Sequence, residues 1–112
     1  MNKTKEDIWI GTELKGTIIN GTPEINDNTD VIVTFTDGTR YVATFFTYAN
    51  IEYLRQKNKR TGECLDGRYF WASDMIIVDR INRKEITEII EHLTKSYEFE
   101  CVFDKILAEE EA

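Results

Sequence analysis

Apolar and polar residues alternate most clearly between positions 31 and 46, on either side of Asp37-Gly38. Alternation with a period of two is typical of β-strands, and Asp-Gly favours a two-residue type I′ hairpin turn. Such a turn pairs Val33 with Val42 and Thr34 with Tyr41. It would place two apolar sets on opposite faces: Val31, Val33, Phe35, Val42 and Phe46 on one, and Ile32, Tyr41, Ala43 and Phe45 on the other. Because both faces are rather apolar, we expect the hairpin to be central in its sheet.

Two helices are predicted after the hairpin. The first covers about residues 48–58, with Thr47 as its N-terminal cap and Gly62 as its C-terminal stop. The second begins at Asn82, whose spacing to Glu85 resembles a capping box. Apolar residues then recur at helical spacing as far as position 93, so this helix is amphipathic and should pack on the sheet.

Further strands are predicted at residues 14–20 and 69–78, and residues 20–28 are rich in turn formers. Residues 97–107 fit a strand and a helix equally well, because so short a run has no decisive period. These elements predict one α+β domain covering residues 1–112. Its sheet is mostly antiparallel, with four to five strands, a central hairpin and one or two helices packed on one face. The acidic tail from about residue 108 is expected to fray.

Composition fits a single folded domain with an acidic surface. The chain has 112 residues, of which 41% are hydrophobic, and its net charge is −7. Residues 81–112 carry four basic and nine acidic side chains. Such a surface disfavours direct nucleic-acid binding, because it repels phosphates, and it suits a basic protein partner.

The two cysteines and the lack of long apolar runs bear on the compartment. No segment has the pattern of a signal peptide or the length of a membrane span. We therefore expect a cytoplasmic protein with no membrane association, in which Cys64 and Cys101 are reduced thiols. Cys101 lies between Phe99 and Phe103, so we expect it to be buried in the core.

Residues for familiar catalytic or cofactor chemistry are scarce. The single histidine, His92, lies off the apolar stripe of its helix and is expected to be exposed. One histidine and two distant cysteines do not have zinc-ligand spacing, and no glycine-rich phosphate loop is present. The basic run at residues 55–60 is typical of a solvated helix end. We expect no catalysis, no cofactor and no metal.

Polar and aromatic residues are densest between positions 61 and 80. Asp74 interrupts an otherwise apolar strand, so it must be paired, hydrogen-bonded or placed at a bulge. Aromatic residues beside strands are more often core, which favours a buried Trp71 and an ion pair of Asp74 with Arg68 or Arg80. The alternative is a recognition face around Trp71, since Trp, Tyr and Arg dominate binding hot spots.

The function that fits best is a small acidic, non-catalytic protein-binding module. Small acidic proteins without catalytic residues include inhibitors and immunity proteins. By this analogy, which rests on no shared motif, it would neutralise a basic partner such as a bacterial toxin nuclease. One alternative is a small-ligand-binding protein or enzyme with a pocket near Cys64, Trp71 and Asp74. Another is a structural adaptor of a larger assembly. The predicted partner-binding residues are Glu63, Asp66, Arg68, Tyr69, Trp71, Asp74, Glu88 and Glu91.

Overall fold

A computed structural model describes residues 5–11 and 27–107 of the chain. Its elements in chain order are β1 (Lys5–Ile10), β2 (Asn28–Phe35), β3 (Arg40–Thr47), α1 (Tyr48–Thr61), β4 (Met75–Val78), α2 (Arg83–Lys95), α3 (Phe99–Val102) and β5 (Asp104–Lys105). Between α1 and β4, the segment Glu63–Gly67 forms a short turn of left-handed backbone. The strand predicted at residues 14–20 and most of the loop predicted at residues 20–28 lie outside the described residues.

The strands form one five-stranded sheet, and the chain has the predicted α+β fold. Strand order is β1-β2-β3-β4, with antiparallel pairing of β1 with β2 and of β2 with β3. β3 and β4 are parallel, and α1 forms the crossover between them, as parallel neighbours require. β5 also pairs with β3, so that β4 and β5 share one edge of that strand. The hairpin β2–β3 is central, as predicted.

The predicted register of that hairpin is wrong by one residue. Val33 lies opposite Tyr41 and Ile32 lies opposite Val42. The loop contains three residues, Thr36, Asp37 and Gly38, because the amide of Gly38 donates to the carbonyl of Phe35 and the amide of Phe35 donates to the carbonyl of Thr39. Gly38 has φ +89°, as in a type I turn followed by a left-handed residue.

This slip of one residue exchanges the faces of β3, because side chains alternate along a strand. Tyr41, Ala43 and Phe45 therefore share the core face with the buried residues of β2, whereas Val42 lies on the other face. We call the two sides the core face and the second face of the sheet.

The core face is covered by α2 and α3. Its buried apolar residues form one cluster with those of both helices: Ile8, Ile10, Val31, Val33, Phe35, Tyr41, Ala43, Phe45, Val78, Ile81, Ile86, Ile90, Phe99 and Phe103. Phe99 stacks on Phe103 at 4.5 Å and meets Tyr41 edge-on at 5.2 Å. Arg83 Nη2 also donates to the carbonyl of Ile8 at 2.9 Å, which ties the start of α2 to β1.

Capping interactions fix both ends of α1 and the start of α2, as the sequence predicts. Thr47 Oγ1 accepts the amide of Asn50 at 3.0 Å, and Gly62 ends α1 with φ +87°. Asn82 Oδ1 accepts the amide of Glu85 at 2.8 Å at the start of α2. For residues 97–107 the sequence did not distinguish helix from strand. Here the chain forms the single helical turn of α3 and then the short strand β5.

The strand predicted at residues 69–78 is limited to Met75–Val78. Asp74 has φ +52°, which is incompatible with extended backbone, and its carbonyl accepts the amide of Thr44 at the start of the parallel ladder. Phe45 and Ile76 are paired across the ladder and share the core face. Met75 and Ile77 therefore lie on the second face, on the side away from α2.

Candidate functional site

The segment between α1 and β4 has an uncommon backbone. Cys64, Leu65 and Asp66 have φ between 51° and 60°, and Gly67 follows at φ +79°. The amide of Arg68 donates to the carbonyl of Cys64 at 3.0 Å, which closes one left-handed turn. Each non-glycine residue in this conformation costs about 1–2 kcal/mol, because its Cβ crowds the next carbonyl. The surrounding packing must therefore hold the turn in place.

Gly67 provides that packing by close approach to α1. A Cβ at this position would lie 2.6 Å from the carbonyl oxygen of Arg55 and 3.0 Å from Lys59 Cγ. Only glycine fits here, since both the positive φ and the lack of space exclude a side chain. The contact fixes the segment that carries Arg68, Tyr69 and Phe70 against the helix.

A groove of about 220 Å³ lies where α1, this segment and β4 meet on the second face. Its lining residues are Ile51, Arg55, Gly67, Arg68, Tyr69, Phe70, Met75 and Ile77. Ile51 and Arg55 are four residues apart and share one side of α1, whereas Met75 and Ile77 share one side of β4. Phe70 also meets Phe46 of β3 at 5.4 Å, so the groove is anchored to the sheet.

Three large apolar side chains on this segment face solvent. The exposed fractions are 61% for Leu65, 51% for Tyr69 and 69% for Trp71. We call residues 65–71 the aromatic loop. The interpretation of Trp71 as a core residue is therefore wrong. The strand begins only at Met75, so the backbone of residues 69–71 lies outside the sheet and does not direct their side chains into the core.

Asp74 is not held by the ion pair that the sequence favours. Among the described residues neither Arg68 nor Arg80 pairs with it. Asp74 instead has left-handed backbone just before β4, where it interrupts the predicted strand. Such an interruption was the other possibility that the sequence left open. Partial burial and the nearby carboxylate of Asp104 raise the pKa of Asp74. The two carboxylates meet because β4 and β5 share the same edge of β3.

Glu63 precedes the aromatic loop and Asp66 lies within it, and both are exposed. Glu63 Oε1 accepts the hydroxyl of Thr61 at 2.8 Å and lies 3.4 Å from Lys57 Nζ. Both contacts, with the hydroxyl first, lower the pKa of Glu63. Arg68 is exposed as well, and in the described chain it forms no ion pair.

Glu88 and Glu91 belong to a different surface. Both are exposed on α2, whose buried residues Ile86 and Ile90 pack on the core face. The groove residues Met75 and Ile77 lie on the second face of the same sheet. The eight predicted binding residues are therefore divided between two sides of the molecule. Glu88 is in addition paired with Lys84 at 2.7 Å, which raises the pKa of Lys84.

The sequence did not point to the apolar part of the groove, namely Ile51, Phe70, Met75 and Ile77. Two spacings in the sequence do bear on the groove: Ile51 and Arg55 are four residues apart on a helix, and Met75 and Ile77 are two residues apart on a strand. These spacings have meaning only once β4 is known to run parallel to β3 under α1, which no local pattern reveals.

The remaining residues with potential chemistry are dispersed. His92 is exposed, as predicted, whereas Cys101 is exposed and the prediction of a buried thiol is wrong. Cys64 is half-buried. Within residues 5–11 and 27–107, no three side chains of the metal-binding types come together. None of the described helices has the length and apolar character needed to cross a lipid bilayer.

Comparison with known protein families, curated proteins and solved structures finds no match to this chain.

Proposed function

We propose that the protein is a small, non-catalytic protein-binding module of the inhibitor or immunity type. It would neutralise a basic partner, such as a toxin nuclease, in the cytoplasm. The observation that carries this proposal is the aromatic loop, where Leu65, Tyr69 and Trp71 face solvent on a backbone locked by Gly67.

The composition of the loop supports a protein contact. Large aromatic side chains are the commonest binding hot spots, because they bury much apolar area with few rotatable bonds. The left-handed turn and the close contact of Gly67 with α1 hold the loop in one conformation. A preorganised loop loses little entropy when a partner binds, so more of the contact energy appears as affinity.

The charge of the molecule supports a basic partner through steering. The net charge of −7 attracts a cationic protein over a range of about 10 Å at moderate ionic strength. Glu88 and Glu91 lie on the side opposite the aromatic loop, so they add to this field mainly at low salt, where its range is about 30 Å. In the proposal they accelerate encounter, whereas Trp71 forms the lasting contact.

The ligand-binding alternative has less support. The groove, at about 220 Å³, is smaller than the roughly 300–1,000 Å³ typical of small-molecule sites. Cys64, Trp71 and Asp74 do not line it.

Capture of a partner from lysate of the native host tests the proposal. The wild-type protein should retain a specific basic protein, and Trp71→Ala should lose most of it while remaining folded by circular dichroism. Tyr97→Ala is the matched control, because Tyr97 is also exposed, at 92%, but lies beyond the end of α2. Equal capture by Trp71→Ala and wild type would contradict a contact at the aromatic loop.

A further inference from the structure

The groove has an apolar floor and a cationic rim. Ile51, Met75 and Ile77 contribute aliphatic or thioether surface and Phe70 an aromatic ring, and Ile77 is 37% exposed. Arg55 and Arg68 lie on its border. The carbon chain of Lys59 lies against Gly67 beside the groove. The two charged residues that line the groove are both arginines, although the chain as a whole is acidic.

The two arginines differ in the ion pairs they form. Arg55 Nη1 lies 3.4 Å from Glu52 Oε2, and Glu52 also accepts a 2.7 Å hydrogen bond from Gln56. Arg68 has no acidic partner among the described residues. A guanidinium beside an apolar groove favours a carboxylate, which it can bind through two parallel hydrogen bonds.

The dimensions of the groove favour an extended segment with one anchoring side chain. Its volume of about 220 Å³ accommodates a single large apolar side chain rather than a whole helix face. β4 is the edge strand at the end of the order β1-β2-β3-β4. An edge strand offers unpaired main-chain groups to an extended chain.

We propose that this groove binds an extended segment of a partner protein that carries one large apolar side chain next to Asp or Glu carboxylates. The apolar side chain occupies the space between Ile51, Met75 and Ile77, and a carboxylate pairs with Arg68. This goes beyond the proposed function, because that function invokes a basic partner, whereas this groove selects a segment with acidic side chains.

Fluorescence anisotropy with short labelled peptides tests the proposal. One peptide has a leucine between glutamates, the second has lysines in place of the glutamates, and the third has alanine in place of the leucine. We expect saturable binding of the first peptide only. Arg68→Glu should weaken it by about tenfold or more, the usual loss when a charge-assisted contact is reversed.

Lys95→Glu is the matched control, because Lys95 is an exposed cation at the end of α2 on the core-face side. It should leave binding within about twofold, as expected for a screened distant charge. Arg68→Gln, which removes the charge without reversing it, should give an intermediate loss. Thermal unfolding checks that each variant is folded.

Three results would overturn the proposal. The first is the absence of saturable binding to the leucine–glutamate peptide, and the second is equal binding of the lysine peptide. The third is sedimentation of the wild-type protein as a dimer that Arg68→Glu dissociates, because a second copy would then occupy the groove. None of these depends on capture of the native partner, so the outcome is separate from that of the proposed function.

Discussion

At the scale of single residues, Cys101 shows why an apolar neighbourhood in sequence does not guarantee burial. Phe99 and Phe103 stand one helical turn apart and their rings stack, as expected for residues on one side of the turn formed by α3. Cys101 is two residues from each and therefore points away from the core. In a strand, by contrast, all three residues would have shared one face, so choosing the wrong period reverses the prediction for Cys101.

Thr47 is a buried residue that joins three parts of the chain. It is 0% exposed, and its hydroxyl accepts the amides of Asn50 and Asp27 at 3.0 and 3.2 Å. Thr47→Val keeps the shape but leaves both amides without this acceptor. We expect the free energy of unfolding to fall by about 1–2 kcal/mol in urea denaturation.

Thr47→Ser is the control for that prediction, because serine keeps the hydroxyl. It should lose less stability than Thr47→Val, although it also removes a buried methyl group. A loss in Thr47→Val that is much smaller than the loss in Thr47→Ser would show that the methyl group, and not the capping hydrogen bonds, stabilises this site.

Asp74 should make stability depend on pH in a defined direction. Burial and Asp104 raise its pKa above the ordinary value of 3.8, so the folded state keeps this proton to a higher pH than the unfolded chain does. The contribution of Asp74 to stability therefore falls as the pH rises from 3.8 through the raised pKa.

Asp74→Asn removes this titration and suits the left-handed backbone, where asparagine is well tolerated. We expect the variant to be more stable than wild type at pH 7, with the difference shrinking as the pH falls through the raised pKa of Asp74 towards the ordinary value. Thermal unfolding across this pH range measures the difference. Asp104→Asn should reproduce part of it, and a wild-type advantage at pH 7 would contradict the assignment.

At the scale of elements, the hairpin shows how far local patterns determine structure. Alternation over residues 31–46 predicts both strands and their central position. It does not determine the register, because Asp37-Gly38 is compatible with a loop of two residues or of three. Both faces of the hairpin are apolar enough for either register, so hydrophobicity alone did not distinguish them.

The left-handed turn was not predicted, because no sequence pattern specifies three successive non-glycine residues with positive φ. Its stability depends on contacts distant in sequence, chiefly the approach of Gly67 to Arg55. Both ends of α1 and the start of α2 were predictable because capping depends only on adjacent residues.

Gly67→Ala tests this dependence. The new Cβ would lie 2.6 Å from the carbonyl oxygen of Arg55 and would also strain a backbone with φ +79°. We expect a loss of about 2–4 kcal/mol in the free energy of unfolding, from overpacking and strain together.

Gly38→Ala separates strain from crowding. Gly38 has a similar φ of +89°, but a Cβ there would have no atom within 4 Å. It should cost only about 1 kcal/mol, the price of a left-handed conformation alone. Losses of equal size at Gly67 and Gly38 would show that the turn is not held by close packing on α1.

At the scale of the whole molecule, the sheet separates two surfaces of different character. Acidic residues are in excess after α2, on the segment that carries α3 on the core-face side, whereas the groove with its arginines lies on the second face. The composition of the chain predicts an acidic domain but not this division. The division arises from the parallel β3–α1–β4 unit, which is a non-local pairing.

Charge reversal at Glu88 and Glu91 on α2 should change the association rate of the partner more than its dissociation rate. Glu88→Lys with Glu91→Lys alters the net charge from −7 to −3, since each reversal adds two charges. With the captured partner, we expect the association rate to fall several-fold at low salt and the difference to narrow at high salt. Stopped-flow mixing measures both rates, and an association rate unchanged at low salt would exclude steering by this surface.

The most direct test of a contact at the aromatic loop is the dissociation rate of the captured partner from Trp71→Ala. Because Trp71 is proposed as the anchor, its loss should raise this rate by about thirtyfold or more, corresponding to a hot spot of at least about 2 kcal/mol. Tyr97→Ala should dissociate at the wild-type rate. Equal dissociation rates for Trp71→Ala and wild type would contradict the account and would place the contact elsewhere on the molecule.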